Sequence, residues 1–249
     1  SDSRSLLSAA EAKEVLSAYG LTVAAARTAP DPEGAAREAA TIGAAVALKI
    51  LSPDVSHKSD VGGVALNLAP NEVEAAANAM LKRVQEKAPG AHITGFTIEA
   101  MISKPQAQEL IIGASVDPTF GAVILFGHGG VGVEVIADTA IGIAPLNSAL
   151  ARQLVKRTRV ARLLDTFRDR PAADLDSVVE ALIVVSDLMV NHPEIVELDI
   201  NPLLVDAAGA VALDARIVVR APEHAAPQRL AIAPYPSAWD RSIVLHDGS

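Results

Sequence analysis

The stretch 46-VALKILSPDVSHKSDVGGV-64 decides how the rest of the chain is read. Its first six residues are almost continuously apolar, the pattern of a strand buried on both faces, and Lys49 interrupts them. A lysine there either snorkels from a sheet edge or points into a polar cleft. The loop that follows holds His57, Lys58, Asp60 and the pair Gly62 and Gly63 before a second strand begins at Val64. Backbone amides of a glycine turn can approach phosphate oxygens closely, and a lysine reaching the same spot adds point charge. A histidine beside phosphates serves as a proton carrier or a nucleophile. The plain alternative is a tight turn carrying a solvated histidine. Handling of a nucleotide's phosphates is the expectation that accounts for all of these residues together.

The flanking sequence reads as alternating helices and strands. Ser8 and Glu11 form a capping box for a first helix with the stripe Ala12, Val15, Leu16 and Tyr19, stopped by Gly20. Asp31 and Pro32 open a second helix that ends at Gly43. A third is expected from Asn71, boxed with Glu74, to about Lys87. Next come ITGFTIEAM and QELIIGASV, separated by SKPQA, a connection of hairpin length. The turn DPTFG, the strand AVILF, the glycine loop GHGG at 127–130 and a strand VGVEVI follow. Asn147 opens a helical region to about Arg168, and Asp174 the most apolar helix. IVELDINPLLV and AVALDARIVV, joined by a turn at 206–209, close the globule. The many expected hairpins indicate an α+β fold and not a doubly wound parallel sheet.

Composition narrows the function classes. Of 249 residues half are apolar and 20% charged, ample for a core and unlike a disordered chain. The formal charge of −9 argues against a nucleic acid or an anionic membrane as the main partner. There is no cysteine, which excludes disulfides and thiolate chemistry. No apolar run approaches the roughly 18 residues of a membrane helix, and no secretory pattern opens the chain. The lack of an initiator Met and four prolines after Arg220 are read as an excised piece of a cytoplasmic protein, with 223–249 a Pro-rich linker toward a missing domain.

Further chemistry-bearing residues cluster late in the chain. Glu197, Asp199 and Asn201 alternate along one strand and share a face, and Asp214 on the returning strand is placed to lie opposite. Hard oxygen donors grouped in this way suit Mg²⁺ held together with nucleotide phosphates, although acidic residues on a strand face are often only solvated. GHGG is either a hairpin turn or a backbone wall against an anion. Arg152, Lys156, Arg157, Arg159, Arg162, Arg168 and Arg170 form a basic cluster, read as a solvated helix face or else a docking surface.

With Lys49, HKSDVGG and ELDINPL in this order, the chain resembles an ATP-grasp domain, closest to that of the NDP-forming acyl-CoA synthetases and the β subunit of succinyl-CoA synthetase. The resemblance implies two α+β lobes of largely antiparallel sheet clasping ATP. The domain would occupy 1–222, with a small lobe at about 22–100 and a larger one at about 1–21 plus 101–222. It implies Lys49 at the phosphates beside Gly62 and Gly63, Glu99 at the adenine hinge with Met101 close by, and Glu109 near the ribose. Asn201 and Asp214 would hold Mg²⁺, with Asp199 where relatives often have glutamate. His57 would relay a phosphoryl group between an acyl phosphate made by partner CoA-binding and ligase domains and ADP.

Two departures point elsewhere. Gly142 stands where such synthetases often carry arginine, and His128 where leucine is usual. With TRVARLLDTFRDRP and RLAIAPYPS, these resemble large bacterial protein acetyltransferases that fuse a synthetase-like region to a GNAT domain. In such fusions the ATP-grasp part is implied to be a non-catalytic, nucleotide-binding regulator. An acetyl-CoA pyrophosphate loop is absent, so acetyl transfer itself is not expected of this chain.

Overall fold

The computed structural model describes residues 4–55, 58–130, 137–166 and 171–220. His57, the expected strand at 131–136, Arg168, Arg170 and the Pro-rich segment 223–249 lie outside the described residues.

Lys49 belongs to a four-stranded antiparallel sheet of β2 (Ala26–Ala29), β3 (Val46–Leu51), β4 (Val64–Leu68) and β5 (Gly95–Ala100), in the order β2-β5-β3-β4. β3 is therefore an inner strand, and Lys49 does not snorkel from an edge. One face of β3, Val46, Leu48 and Ile50, is fully buried under α2 (Pro32–Ile42) and α3 (Val73–Lys87). The strand was expected to be apolar on both faces; instead Lys49 looks out from the opposite face, as period-2 alternation dictates.

Both helices are placed by their ends. Asp31 caps α2 by accepting from the Gly34 amide at 2.6 Å, and Gly43 closes it in the left-handed region. At α3 the expected cap does not form. A 3-10 turn over Pro70–Glu72 precedes the helix, and Glu72, not Glu74, accepts from the Ala69 amide at 2.9 Å. Pro70 favours a turn that sets the box two residues earlier than the Asn71 reading assumed.

The second sheet contains β1 (Arg4–Leu6), β6 (Gln108–Asp117), β7 (Gly121–His128), β8 (Thr139–Ile143), β9 (Ile195–Asp206), β10 (Gly209–Ala212) and β11 (Ala215–Arg220). Its order is β1-β11-β9-β6-β7-β8, with β10 also paired to β9. Leu110, Ile112, Ile124 and Phe126 point to one face and pack on Leu182, Val185, Leu188 and Met189 of α6 (Leu175–Asn191). The same core takes in α1 (Ala9–Ala18) and α4 (Ser148–Lys156).

Three connections differ from the local reading. β5 and β6 do not form a hairpin: both edges of β5 are taken by β2 and β3, and β6 pairs with β7 and β9, so 101–107 crosses from one sheet to the other. Met101 donates to the Ala45 carbonyl at 2.8 Å and Lys104 pairs with Asp206 at 2.6 Å, fixing the two ends of the crossing. The returning strand after 206–209 is broken at Leu213 and Asp214, so that β10 pairs with the second half of β9 and β11 with the first. The helix expected over 147–168 also breaks. The buried Asp138 carboxylate accepts from the amides of Arg159 at 2.8 Å and Val160 at 2.6 Å, and only the short α5 (Ala161–Leu164) follows.

Gly95 opens β5 at φ +146°, and a Cβ there would overlap the Ala29 carbonyl oxygen of the neighbouring strand. Gly95→Ala is expected to cost about 2 kcal/mol or more. It should show as a lower urea midpoint with unchanged slope.

Candidate functional site

Where the two sheets meet, a cavity of about 280 Å³ is lined by Lys49, Leu66, Glu99, Met101, Asn201 and Asp214, among others. Four of these come from the two ends of the crossing architecture: β3 and β5 on one side, β9 and the break between β10 and β11 on the other. Ala47 pairs with Glu99 and Lys49 with Thr97, which sets Lys49 and Glu99 on the same sheet face. Lys49 Nζ donates to Glu99 Oε2 at 2.9 Å. Across the cavity the Asn201 amide meets the Asp214 carbonyl at 3.3 Å, and the pair of side chains is held at the point where β10 gives way to β11.

A second lysine joins them. Lys13, on α1, lies with its Nζ 3.3 Å from the same Glu99 Oε2, and its side chain is 2% exposed. Burial alone would lift the Glu99 carboxyl, but the Lys13 and Lys49 ammoniums outweigh it and hold Glu99 below the ordinary glutamate range. Burial pulls the Lys13 ammonium below its ordinary range, with Glu99 and Asp214 opposing. Sequence reasoning missed Lys13 because Glu11 and Glu14 around it suggest a solvated face. Ala9, Ala12, Lys13 and Leu16 nonetheless share the i, i+3, i+4, i+7 stripe, and that spacing was the available signal. The stripe assigned instead ended at Tyr19, which is half-exposed and touches the His192 ring edge-on.

Asn201 Oδ1 accepts from the Gly130 amide at 2.8 Å. Glu109, exposed on β6, packs against Gly130, so the second glycine loop lies between the two. GHGG is thus not a tight turn in itself, but it leads from β7 into the connection to its antiparallel partner β8. β7 runs through His128, its amide bonds Asp138 at 3.0 Å, and Gly129 rests against the Leu110 carbonyl.

Gly62 and Gly63 do not line the cavity. Gly63 donates to the Lys58 carbonyl and accepts from Ile50, both at 2.8 Å, while Gly62, at φ +72°, packs on Arg83. They fold the loop back into β4. Among the described residues no three His, Cys, Asp or Glu side chains form a metal cluster. Mg²⁺ bound with a nucleotide asks for less, since phosphates and waters complete its shell, and Asn201 with Asp214 are a hard oxygen pair that fits it. Of the basic cluster, Arg152 pairs with Asp176, Arg157 donates to the Ile141 carbonyl at 2.9 Å and Arg159 lies 3.5 Å from Asp138. Arg152 ties two helices together, and Arg157 and Arg159 tie the chain after α4 to the β8 end of the large sheet.

Asp199 looks elsewhere, into a second cavity of about 310 Å³ with Gly113, Ser115, Glu197 and Arg216. Its carboxyl is pushed above the usual range chiefly by burial, with Asp214 and Glu197 adding and Arg216 opposing. An acid whose folded pKa is raised favours the folded state at low pH, and that contribution is lost as pH rises through the folded value. At neutral pH the carboxylate therefore costs stability. Asp199→Asn is expected to raise the melting temperature at pH 7, with a smaller gain in acid where both states are protonated.

A family profile for the ATP-grasp domain matches residues 1–219. The chain is 41% identical over 210 residues to acetate–CoA ligase [ADP-forming] I of Archaeoglobus fulgidus, covering 84% of this chain and 30% of that ligase. It is 32% identical over 210 residues to the β subunit of acetate–CoA ligase [ADP-forming] I of Pyrococcus furiosus, covering 84% of this chain and 90% of the subunit. Among solved structures, the dinucleotide-forming acetyl-coenzyme A synthetase 1 of Ca. Korarchaeum cryptofilum, in complex with coenzyme A and Mg-AMPPCP, superposes with a TM-score of 0.75 at 35% identity over 86% of this chain and 93% of that one. The described residues contain no helix long and apolar enough to cross a membrane. The two antiparallel sheets, the lysine and carboxylates between them and these likenesses agree: the chain belongs to the ATP-grasp family, as a domain of the kind found in β subunits of NDP-forming acyl-CoA synthetases.

Proposed function

We propose that this chain binds Mg-ATP or Mg-ADP between its sheets and passes a phosphoryl group between nucleotide and His57, as one module of an NDP-forming acyl-CoA synthetase-like protein. The observation that carries the reading is the convergence of Lys49, Glu99, Asn201 and Asp214, spread over more than half the sequence, on one cavity. The unit doing this is 1–222, with a small lobe at about 22–100 and the remainder as the larger lobe. Support for a nucleotide comes from the Korarchaeum structure, whose complex holds Mg-AMPPCP and a phosphohistidine segment pointing towards the nucleotide-binding site.

In this reading Lys49 exchanges Glu99 for the α- and β-phosphates. Glu99 and Met101, at the start of the crossing segment, border the adenine, and Glu109 reaches the ribose beside Gly130. Asn201 and Asp214 hold Mg²⁺, and Asp199, which faces the neighbouring cavity, contributes only its negative charge beside Asp214. When bound, the ion neutralises charge on the transferring phosphoryl group. His57 contributes the nucleophile: an imidazole nitrogen bonds phosphorus as the acyl-phosphate P–O bond breaks, releasing the carboxylate. A terminal oxygen of ADP then bonds the same phosphorus as the P–N bond breaks. The acyl phosphate must come from CoA-binding and ligase domains of a parent protein, consistent with the chain's matching 30% of the Archaeoglobus ligase. The reactions belong in the cytoplasm, where ATP and CoA are found.

Incubation of the parent protein with γ-labelled ATP and Mg²⁺ should give acid-labile, alkali-stable label that His57→Ala abolishes. Nucleotide binding without that label would instead favour a regulatory domain attached to a GNAT-type acetyltransferase, the reading that Gly142 supports. In the structure Gly142 faces Leu146 and Leu154. Lys49→Ala should weaken Mg-ADP binding by about tenfold or more, the equivalent of one charge-assisted contact. Titration calorimetry reads this directly.

A further inference from the structure

Glu99 has more cation than it needs to hold Lys49. Its Oε2 faces both Lys49 at 2.9 Å and Lys13 at 3.3 Å, while its Oε1 has no hydrogen-bond partner among the described residues. Lys13 Nζ, too, is buried without a hydrogen bond of good geometry, so its tie to Glu99 is an ion pair. The two lysines approach from different sides. Lys49 lines the 280 Å³ cavity with Asn201 and Asp214, whereas Lys13 borders a separate cavity of about 680 Å³ between α1 and β2 and does not line the first. They also belong to different cores: the neighbours of Lys13, Ala12 and Leu16, pack in the large-sheet core, and Ile98 beside Glu99 packs in the small one.

This arrangement answers a difficulty in the proposed function. If Lys49 turns to the phosphates, it abandons a carboxylate that is 8% exposed. A buried carboxylate stripped of its cation is strongly disfavoured and tends to take up a proton. We propose that Lys13 is a positioning residue that remains as the counter-ion of Glu99 when Lys49 moves to the nucleotide, so that Lys49 can change partners without leaving a buried charge alone. The inference rests on Lys49 being the phosphate ligand. Burial already draws the Lys13 ammonium down and Glu99 and Asp214 restore it, so its charge depends on the same cluster it serves.

The test is a double-mutant cycle on Mg-ADP affinity in the whole protein. With Glu99 present, Lys13→Met should weaken binding by about tenfold, because among the described residues Lys49 is then the only cation on Glu99. In a Glu99→Gln background the same substitution should change affinity by less than about twofold, whatever Glu99→Gln does by itself. Equal losses in both backgrounds, or no loss with Glu99 present, would overturn the inference. Should Lys13→Met fail to fold, wild-type protein still decides. Calorimetry of Mg-ADP binding at pH 8 in buffers of differing ionisation heat should show no proton uptake, and uptake near one proton per site would show that Glu99 neutralises when Lys49 leaves. Lys49→Ala separates the two claims. Unchanged affinity in that variant would sink the phosphate-ligand reading itself, whereas weakened affinity with a flat cycle would remove only the role of Lys13.

Discussion

A single buried carboxylate, Glu99, joins what the fold brings together. It accepts from Lys49 on the adjacent strand and pairs with Lys13 from a helix whose apolar neighbours belong to the other core. An ionised group at that depth persists only with cations beside it, so β3, β5 and α1 are constrained to meet there. The crossing segment after β5 leaves from this point, and backbone bonds from Ala100 to Ala25 and from Met101 to Ala45, both 2.8 Å, hold its root. The meeting of the sheets is thereby tied to an electrostatic cluster and not only to apolar contact.

The opposite wall depends on β9, which lies inside the large sheet between β6 and the β10–β11 pair. Because the returning chain breaks at Leu213 and Asp214, a side chain there is free of the regular ladder and faces Asn201 across the strand gap. The Gly130 amide then fixes Asn201 Oδ1 from the second glycine loop. Acidic and amide oxygens on one side and the Lys49 ammonium on the other make a cavity of mixed sign, the arrangement suited to a cation travelling with a polyanion. Asp199 shows the cost of concentrating such groups: with Asp214 and Glu197 near, burial is only partly relieved by Arg216.

Much of this was legible from local patterns. The apolar run around Lys49, the caps at Ser8, Asp31 and Asp174, and the turn after Asp117 depend on neighbours in sequence, and each reads in the structure as its residues require. The α+β class followed from the same patterns. What escaped depends on partners far away. Nothing local says that β5 gives its edges to β2 and β3, so SKPQA looked like a hairpin loop when it crosses between sheets. Lys13 does not stand out among its glutamates, although its helical phase matches Ala12 and Leu16, because the carboxylate that justifies its burial lies 86 residues on. The break of the expected helix over 147–168 has the same origin, since Asp138 supplies the bonds that end it.

The most direct measurement is a crystal structure of the chain with Mg²⁺ and a non-hydrolysable ATP analogue. The expected result is a nucleotide between the two sheets, with Lys49 Nζ turned from Glu99 to phosphate oxygens, Lys13 still on Glu99, and the metal on Asn201 and Asp214. A nucleotide bound anywhere else, or bound there with the Lys49–Glu99 pair intact, would contradict it.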